Sequence, residues 1–294
     1  MTQIEVNQTE EIIINIAATT PTQAPKQYFL NGKLFLGIFV MIAMLLTFLL
    51  PSSEPVAACM KVNVFSNEKL AQFFDKIIED GNGKLVYEAL QSGLTIYSLN
   101  NLIHTQRIIK ESPFEGVANR GSNFSDISSG GIYYGEHLDG LRDGFGFLYI
   151  TTTAQTPFLY LYEWSKGKPL RGNWIQLSNE KWYKYEGLLD DKYLATGVGS
   201  WTTSDGQAYE GQHHQSMREG YGRYAWRDGT SHEGKWVGNY RHGFGRLTQN
   251  DGHYMEGQWE SDKPIGRHKY YTRQGNMLQV RTYQDGMLIK TEQF

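Results

Sequence analysis

The stretch Tyr209–Gly252 reads YEGQHHQSMREGYGRYAWRDGTSHEGKWVGNYRHGFGRLTQNDG, and it contains one pattern twice. A Glu-Gly pair, a Gly-aromatic-Gly triplet and an Asp-Gly pair each recur 23 residues later, from 210 to 233, from 220 to 243 and from 228 to 251. Three features that keep one spacing indicate an internal repeat, and a repeat decides the architecture before any other feature is weighed.

The repeat extends in both directions from this stretch. In the copy at 256–268, His268 stands where the second glycine of the Gly-x-Gly (GxG) triplet is expected. Three further copies and two weaker ones can be traced, at 185–206, 133–146, 256–268, 160–174 and 278–286.

The order Tyr-Glu-Gly, then GxG nine residues after that glycine, then Asp-Gly resembles the MORN repeat family. The resemblance covers about residues 131–290, more than half of the chain. It implies a mainly β fold, with one β-hairpin per repeat stacked into an elongated, twisted, single-layer antiparallel sheet. The residues favour hairpins independently, because aromatic and polar residues alternate before Asp228-Gly229, and Asp-Gly is a common hairpin turn.

The glycines of the repeat are predicted to be architectural. Glycine weakens a strand interior unless another group approaches the backbone closely. Its recurrence at one register therefore predicts that aromatic rings pack over these backbones, and this role is favoured over contact with a ligand. The predicted structural glycines are Gly135, Gly140, Gly144, Gly146, Gly187, Gly197, Gly199, Gly211, Gly220, Gly222, Gly234, Gly243, Gly245, Gly257 and Gly266.

The repeat aromatics are predicted to serve both packing and partner binding. Side chains alternate faces along a strand, so half of these rings should pack on glycines and half should form an exposed patch. The candidate partner-binding residues are Tyr209, Tyr221, Tyr224, Trp226, Trp236, Phe244 and Trp259.

Composition narrows the class of protein. Residues 131–294 contain 19 Lys plus Arg and 19 Asp plus Glu, so the repeat module has no net charge, and we expect no nucleic-acid partner. The only cysteine is Cys59, which excludes an intrachain disulfide framework.

Residues 34–50, LFLGIFVMIAMLLTFLL, contain no charged side chain. At about 1.5 Å per residue they would extend roughly 26 Å, which predicts a single transmembrane helix. A buried helix of a soluble domain is disfavoured because this run has no polar side. A cleaved signal peptide or lipoprotein signal ending before Cys59 is the sharper alternative, although the acidic segment of 33 residues before the run is atypical of one.

The count of basic residues does not decide the orientation of the predicted membrane helix. Lys26 and Lys33 on its N-terminal side are matched by Lys61 and Lys69 on its C-terminal side. Lys33 at the membrane edge favours a cytoplasmic N-terminus, which would put the repeats outside or in a lumen. The repeats of MORN proteins often lie in the cytoplasm, and the resemblance therefore favours the opposite side.

The remaining segments divide into a tail and a connecting region. Residues 1–33 are predicted to be a disordered tail, in which the run Ile12–Ile14 is unpaired, and 291–294 are a short second tail. Residues 51–130 are predicted to connect the membrane helix to the repeat sheet at 131–290. Within them the apolar pattern from Leu70 to Ile78 predicts an amphipathic helix over 66–80.

No motif for catalysis is present. The chain lacks GxSxG, HExxH, GxxxxGK[ST] and CxxC, and the scattered histidines do not suggest a metal site, so we expect neither enzyme nor cofactor. The favoured hypothesis is a non-catalytic, single-pass membrane scaffold whose repeats bind a protein. The alternatives are a lipid-binding membrane tether and an enzyme with an unrecognised site, the latter if Glu163, Glu180 and Glu186 converge in a cleft.

Overall fold

The computed structural model describes residues 3–6, 12–16, 26–30, 67–91 and 107–294. The chain forms two compact units, Met1–Lys110 and Glu111–Phe294, and each is described by itself. In the first unit, helix α1 spans Asn67–Glu79 and helix α2 spans Gly83–Gln91. Helix α1 lies within the span 66–80 that its apolar periodicity predicts. Its inward side chains Leu70, Phe73, Phe74 and Ile77 are buried.

Three short strands lie in the segment that the sequence predicts to be an unpaired tail. They are β1 (Gln3–Val6), β2 (Ile12–Ile16) and β3 (Lys26–Leu30), and they form an antiparallel sheet in the order β1-β2-β3. In this structure Ile12–Ile16 is the central strand, and β-branched residues favour that conformation because they fit a pleated surface.

The predicted membrane helix at 34–50 lies outside the described residues. Among the residues that the structure does describe, no helix is long and apolar enough to cross a membrane.

The second sheet is a single open antiparallel sheet of 15 strands, each hydrogen-bonded to its neighbour in sequence. This confirms the mainly β class and the hairpin arrangement that the repeat predicts. The strands are β4 (Ile108–Phe114), β5 (Gly131–Leu138), β6 (Leu141–Thr151), β7 (Pro157–Ser165), β8 (Lys168–Ser178), β9 (Lys181–Leu189), β10 (Ala195–Thr203), β11 (Ala208–His214), β12 (Met217–Ala225), β13 (Ser231–Val237), β14 (Tyr240–Thr248), β15 (Tyr254–Glu260), β16 (Lys263–Tyr271), β17 (Met277–Gln284) and β18 (Met287–Gln293).

A line of glycines crosses the sheet at one register. Each glycine of the line lies directly opposite the next one on the neighbouring strand, from β8 to β15 without interruption. The weak copy at 160–174 supplies the first of them. In order the line is Gly172, Gly187, Gly199, Gly211, Gly222, Gly234, Gly245 and Gly257.

The hairpins have two kinds of turn. The predicted Asp228-Gly229 turn joins β12 to β13, with Gly229 at φ 87° and the Asp228 carboxylate accepting a hydrogen bond from the amide of Thr230 at 2.9 Å. Several hairpins have a two-residue turn with positive φ at both positions, such as Gln215-Ser216 between β11 and β12. Two-residue turns with this geometry match the right-handed twist of the flanking strands.

The two-residue turns also join successive hairpins. The amide of Asn239 donates to the carbonyl of Arg218 at 3.1 Å, and the Asn239 side-chain oxygen accepts from the Arg218 amide at 2.8 Å. Asp262 makes the same two bonds to Arg241, at 3.1 and 2.9 Å. These two tight turns therefore fix the start of a strand in the hairpin before them.

Candidate functional site

One face of the sheet, which we call the aromatic face, is packed with rings. It includes Tyr209, Tyr224, Trp236 and Trp259, all of them buried. The Tyr209 ring lies edge-on to the Trp236 ring, with centroids 5.8 Å apart, and the Trp236 indole donates to the carbonyl of Gly222 at 3.0 Å. These four candidate partner-binding residues are consequently packing residues in the described chain.

The glycine line lies beneath these rings. A Cβ on Gly222 or on Gly211 would come within 3.0 Å of the Tyr209 side chain, and one on Gly146 or Gly135 would do the same with Tyr133. The same relation holds for Gly187 and Gly199 under Tyr185, and for Gly245 under His232. A Cβ on Gly234 would also lie close to the His232 ring and to the backbone of Gly245 on the facing strand.

In the copy at 256–268, the ring that packs over the glycine line comes from the other strand of the pair. Where the other copies have an aromatic ring two residues before the line glycine, this copy has Met255. His268 stands at the second glycine position, and its ring is the group that a Cβ on Gly257 would meet first. The ring over the glycine line can thus come from either strand of the pair, but only one strand supplies it.

The first glycine of each triplet is covered by a side chain from the preceding strand. A Cβ on Gly144 would meet Glu136, one on Gly220 would meet Gln212, and those on Gly197 and Gly243 would contact Leu188 and Lys235. Glu136 and Gln212 also accept a hydrogen bond from the amide after their glycine, at 2.7 and 2.8 Å. Gly140 and Gly266 have positive φ and open space around them, which indicates a conformational role.

Arginines reinforce the aromatic face at a repeated position. Arg142, Arg218 and Arg241 each stand two residues before a GxG triplet. The Arg218 guanidinium carbon lies 4.6 Å from the Tyr224 ring centroid and 4.7 Å from that of Trp236, and Arg241 lies 4.3 Å from Trp259. Such contacts are attractive because the ring face is electronegative.

Burial favours the uncharged form of three histidines on the aromatic face. Desolvation lowers the pKa of His232 to about 3 and that of His213 to about 4, and it also lowers the pKa of His268. Each ring contacts aromatic neighbours edge-on. Within the described chain, no group of three or more His, Cys, Asp or Glu is arranged to hold a metal ion.

The opposite face carries an exposed row at the centres of the GxG triplets, which we call the GxG row: Val198, Tyr221 and Phe244. Their side chains are 67 %, 60 % and 59 % exposed. Two of the seven candidate residues, Tyr221 and Phe244, therefore lie on an accessible surface. Trp226 is half-buried at the end of β12, with its ring 4.8 Å from that of Tyr224.

A ladder of alternating charge runs beside the GxG row on the same face. Successive strands present acid and base directly opposite each other, in the order Glu210, Arg223, Glu233, Arg246, Glu256 and Lys269. Arg246 and Glu256 approach to 2.6 Å, and the Tyr221 hydroxyl donates to Glu233 at 3.2 Å. The ladder cancels its own charge and leaves the row as the apolar feature of this face.

The acidic residues of the enzyme hypothesis are not brought to one place. Glu163 lies opposite Arg171, Glu186 lies opposite Asn173, and Glu180 is in the β8–β9 turn. None of the three lines the cavity described next.

A cavity of about 420 Å³ lies at the start of the sheet, between β4, the β5–β6 turn and the β9–β10 loop. Ser112 and His137 line it, and the Ser112 hydroxyl is 3.0 Å from His137 Nε2. His137 Nδ1 is 3.0 Å from the carbonyl oxygen of Gly135. No sequence pattern predicts this pair, because the two residues are 25 positions apart and Ser112 lies outside the repeat.

The wall of this cavity is held by buried Arg120. Its guanidinium donates to the carbonyls of Ser125, Lys192 and Tyr193 at 3.0, 2.8 and 3.0 Å. These bonds fix the β9–β10 loop, so that Tyr193 stands against Phe114 with ring centroids 5.6 Å apart.

Comparison with known proteins gives no further assignment. A scan against models of protein families finds no match for this chain, and a search of curated proteins finds no relative.

Proposed function

We propose that the chain is a membrane-attached scaffold whose MORN-like repeat sheet binds a protein partner through the GxG row. The apolar run at 34–50 supports the attachment. The glycine line and its rings support the repeat assignment, because a Cβ on these glycines would clash with a ring or with the backbone of the neighbouring strand.

The observation that carries the binding proposal is the exposure of Val198, Tyr221 and Phe244. Tyr221 and Phe244 leave more than half of their side chains exposed, and Tyr is one of the residue types enriched in binding hot spots. Their partners on the aromatic face are buried, so the sheet separates a packing face from a contact face.

The spacing of the row suggests the form of the partner. Consecutive row residues are two strands apart, and strands lie about 4.8 Å from one another, which puts row residues at intervals of about 10 Å. Seven residues of an α-helix rise about 10.5 Å. An amphipathic helix that crosses the strands can therefore place one apolar side chain against each row residue.

The charge ladder favours a protein over the two other partner classes. Anionic lipid surfaces and nucleic acids are attracted by clustered Lys and Arg. Here every exposed cation of the ladder has an anion opposite it on a neighbouring strand. If the GxG row contacts a membrane, the test described next will instead indicate a lipid-binding tether.

Site-specific crosslinking tests the proposal in the intact membrane. A photo-reactive phenylalanine analogue is introduced in place of Tyr221, of Phe244 and, as a control, of exposed Arg227 in the β12–β13 turn. We expect one protein adduct of constant mass from the first two positions and none from the third. Adducts with lipid alone from positions 221 and 244, or the same protein adducts from position 227, would contradict the proposal.

A further inference from the structure

We propose that Ser112 and His137 form a hydrolytic site for a small carboxylic ester, with Ser112 as the nucleophile and His137 as its general base. The site is additional to the scaffold role, and it lies on strands at the start of the sheet. The two side chains meet at 3.0 Å inside a cavity of about 420 Å³.

The hydrogen bonds of His137 determine which nitrogen can act as a base. The carbonyl of Gly135 can only accept, so Nδ1, 3.0 Å away, must carry the proton. In the neutral ring Nε2 is then an acceptor, and the Ser112 hydroxyl 3.0 Å away donates to it. This is the arrangement in which histidine removes a proton from an attacking hydroxyl, with a main-chain carbonyl orienting the ring.

The serine is not needed to hold the ring. His213 occupies the equivalent position three copies later, with Nδ1 3.2 Å from the Gly211 carbonyl and its ring 5.1 Å from that of Tyr209. His137 has the matching contact with Tyr133, also at 5.1 Å. Within the described chain only His137 has a serine at Nε2, because β4 brings Ser112 there.

The cavity supplies the other groups that an ester requires. Arg142 is the one Lys or Arg among the described residues that line it, with its guanidinium carbon 4.9 Å from the Phe114 ring centroid. We assign to this cation the stabilisation of the oxygen that becomes negative. Phe114, Val117 and Leu141 form an apolar wall for the acyl group. The volume lies within the range of small-ligand pockets.

The reaction balances as hydrolysis. Ser112 Oγ attacks the ester carbonyl carbon while its proton passes to His137 Nε2. Collapse of the tetrahedral intermediate breaks the ester C–O bond, and the alcohol leaves with the proton from Nε2. Water, deprotonated by the same nitrogen, then cleaves the acyl–Ser112 bond and releases the carboxylic acid.

A fluorophosphonate probe tests the nucleophile directly, because Ser112 Oγ would form an O–P bond as fluoride leaves. The purified full chain is labelled and digested, and the modified serine is identified by mass spectrometry, beside turnover of p-nitrophenyl butyrate. We expect the adduct on Ser112, loss of label and turnover in Ser112→Ala, and a fall of about 100-fold or more in both rates in His137→Gln. Exposed Ser204→Ala and the matched His213→Gln should leave both unchanged.

Absence of an adduct on Ser112 in the wild-type chain overturns the proposal without any variant. An adduct that His137→Gln leaves intact overturns it as well. If circular dichroism shows that His137→Gln is unfolded, native and denatured wild-type chains are compared instead. Labelling of Ser112 must then require the native state, and equal labelling in both states refutes an activated serine.

Discussion

Gly222→Ala is expected to destabilise the sheet through a clash with one ring. A Cβ at position 222 would stand closer than 3.0 Å to the Tyr209 hydroxyl and ring carbons. Tyr209 cannot yield easily, because its hydroxyl donates to the Gln212 carbonyl at 2.9 Å and its ring contacts His213 and Trp236. The φ of Gly222 lies outside the left-handed region, so the cost is steric.

The expected loss is about 2–3 kcal/mol, the upper half of the range for overpacked cores, because neither the ring nor the paired backbone can move away. Urea denaturation gives the overall change. Native-state hydrogen exchange locates it, since repeat arrays can open hairpin by hairpin. We expect faster exchange in β11–β13 than in β16–β18. Gly238→Ala is the control, with φ 55° and open space around it, where only backbone strain of about 1–2 kcal/mol applies.

The copy with Met255 and His268 has its ring on the second strand of the pair instead of the first, and this arrangement suggests a decisive double variant. Tyr209→Met combined with Gly222→His copies that arrangement into another repeat. We expect the double variant to be more stable than Gly222→His alone by about 1–3 kcal/mol, a coupling typical of residues in contact. Additive effects of the two substitutions, or full stability of Gly222→Ala, would refute the reasoning.

Three further predictions follow from burial, charge and the apolar run. Trp236→Ala should cost about 3–5 kcal/mol by denaturation and Phe244→Ala less than about 1, whereas only Phe244→Ala should weaken crosslinking to the partner without unfolding the sheet. His232 has a folded pKa of about 3 against about 6.5 unfolded, so its neutral form stabilises the fold at pH 7 and that contribution is lost as pH falls from 6.5 towards 3. The free energy of unfolding of the wild type should therefore fall by about 2 kcal/mol between pH 7 and pH 5, and His232→Tyr, which has the residue of other copies, should not show this loss. Parallel profiles of unfolding free energy against pH for the two proteins would contradict this. Deletion of residues 1–58 should release the remainder of the chain from membranes in alkaline extraction. If the N-terminus is cytoplasmic, protease added outside intact cells should digest the repeats.

The repeat period was sufficient to predict the hairpins, because it specifies both the turn glycines and the register glycines. The parity of a residue's position relative to the line glycine also determines which face its side chain occupies. Tyr209 and Trp236 stand two residues from a line glycine and are buried, whereas Tyr221 and Phe244 stand one residue away and are exposed. An odd offset in a strand places a side chain on the opposite face.

Other features could not be found by pattern. The Gln215-Ser216 turn leaves no signal in the sequence, because both residues adopt positive φ without a glycine to mark them. The Ser112–His137 contact arises from the packing of β4, which carries no copy of the repeat. Contacts of this kind depend on the three-dimensional position of a strand and leave no periodic signal in the sequence.

The packing of Tyr rings on the glycine line is the central structural claim, and glycine proton chemical shifts test it most directly. The full chain in detergent is labelled with ¹³C-glycine and examined by NMR. We expect the Tyr209 ring to shift the Hα resonances of Gly222 upfield, and we expect the Gly222 shift to return to its ordinary value in Tyr209→Met. The Tyr133 ring should have the same effect on Gly146, which lies outside the line and pairs with Gly135. Ordinary shifts at both glycines in the wild type would contradict it.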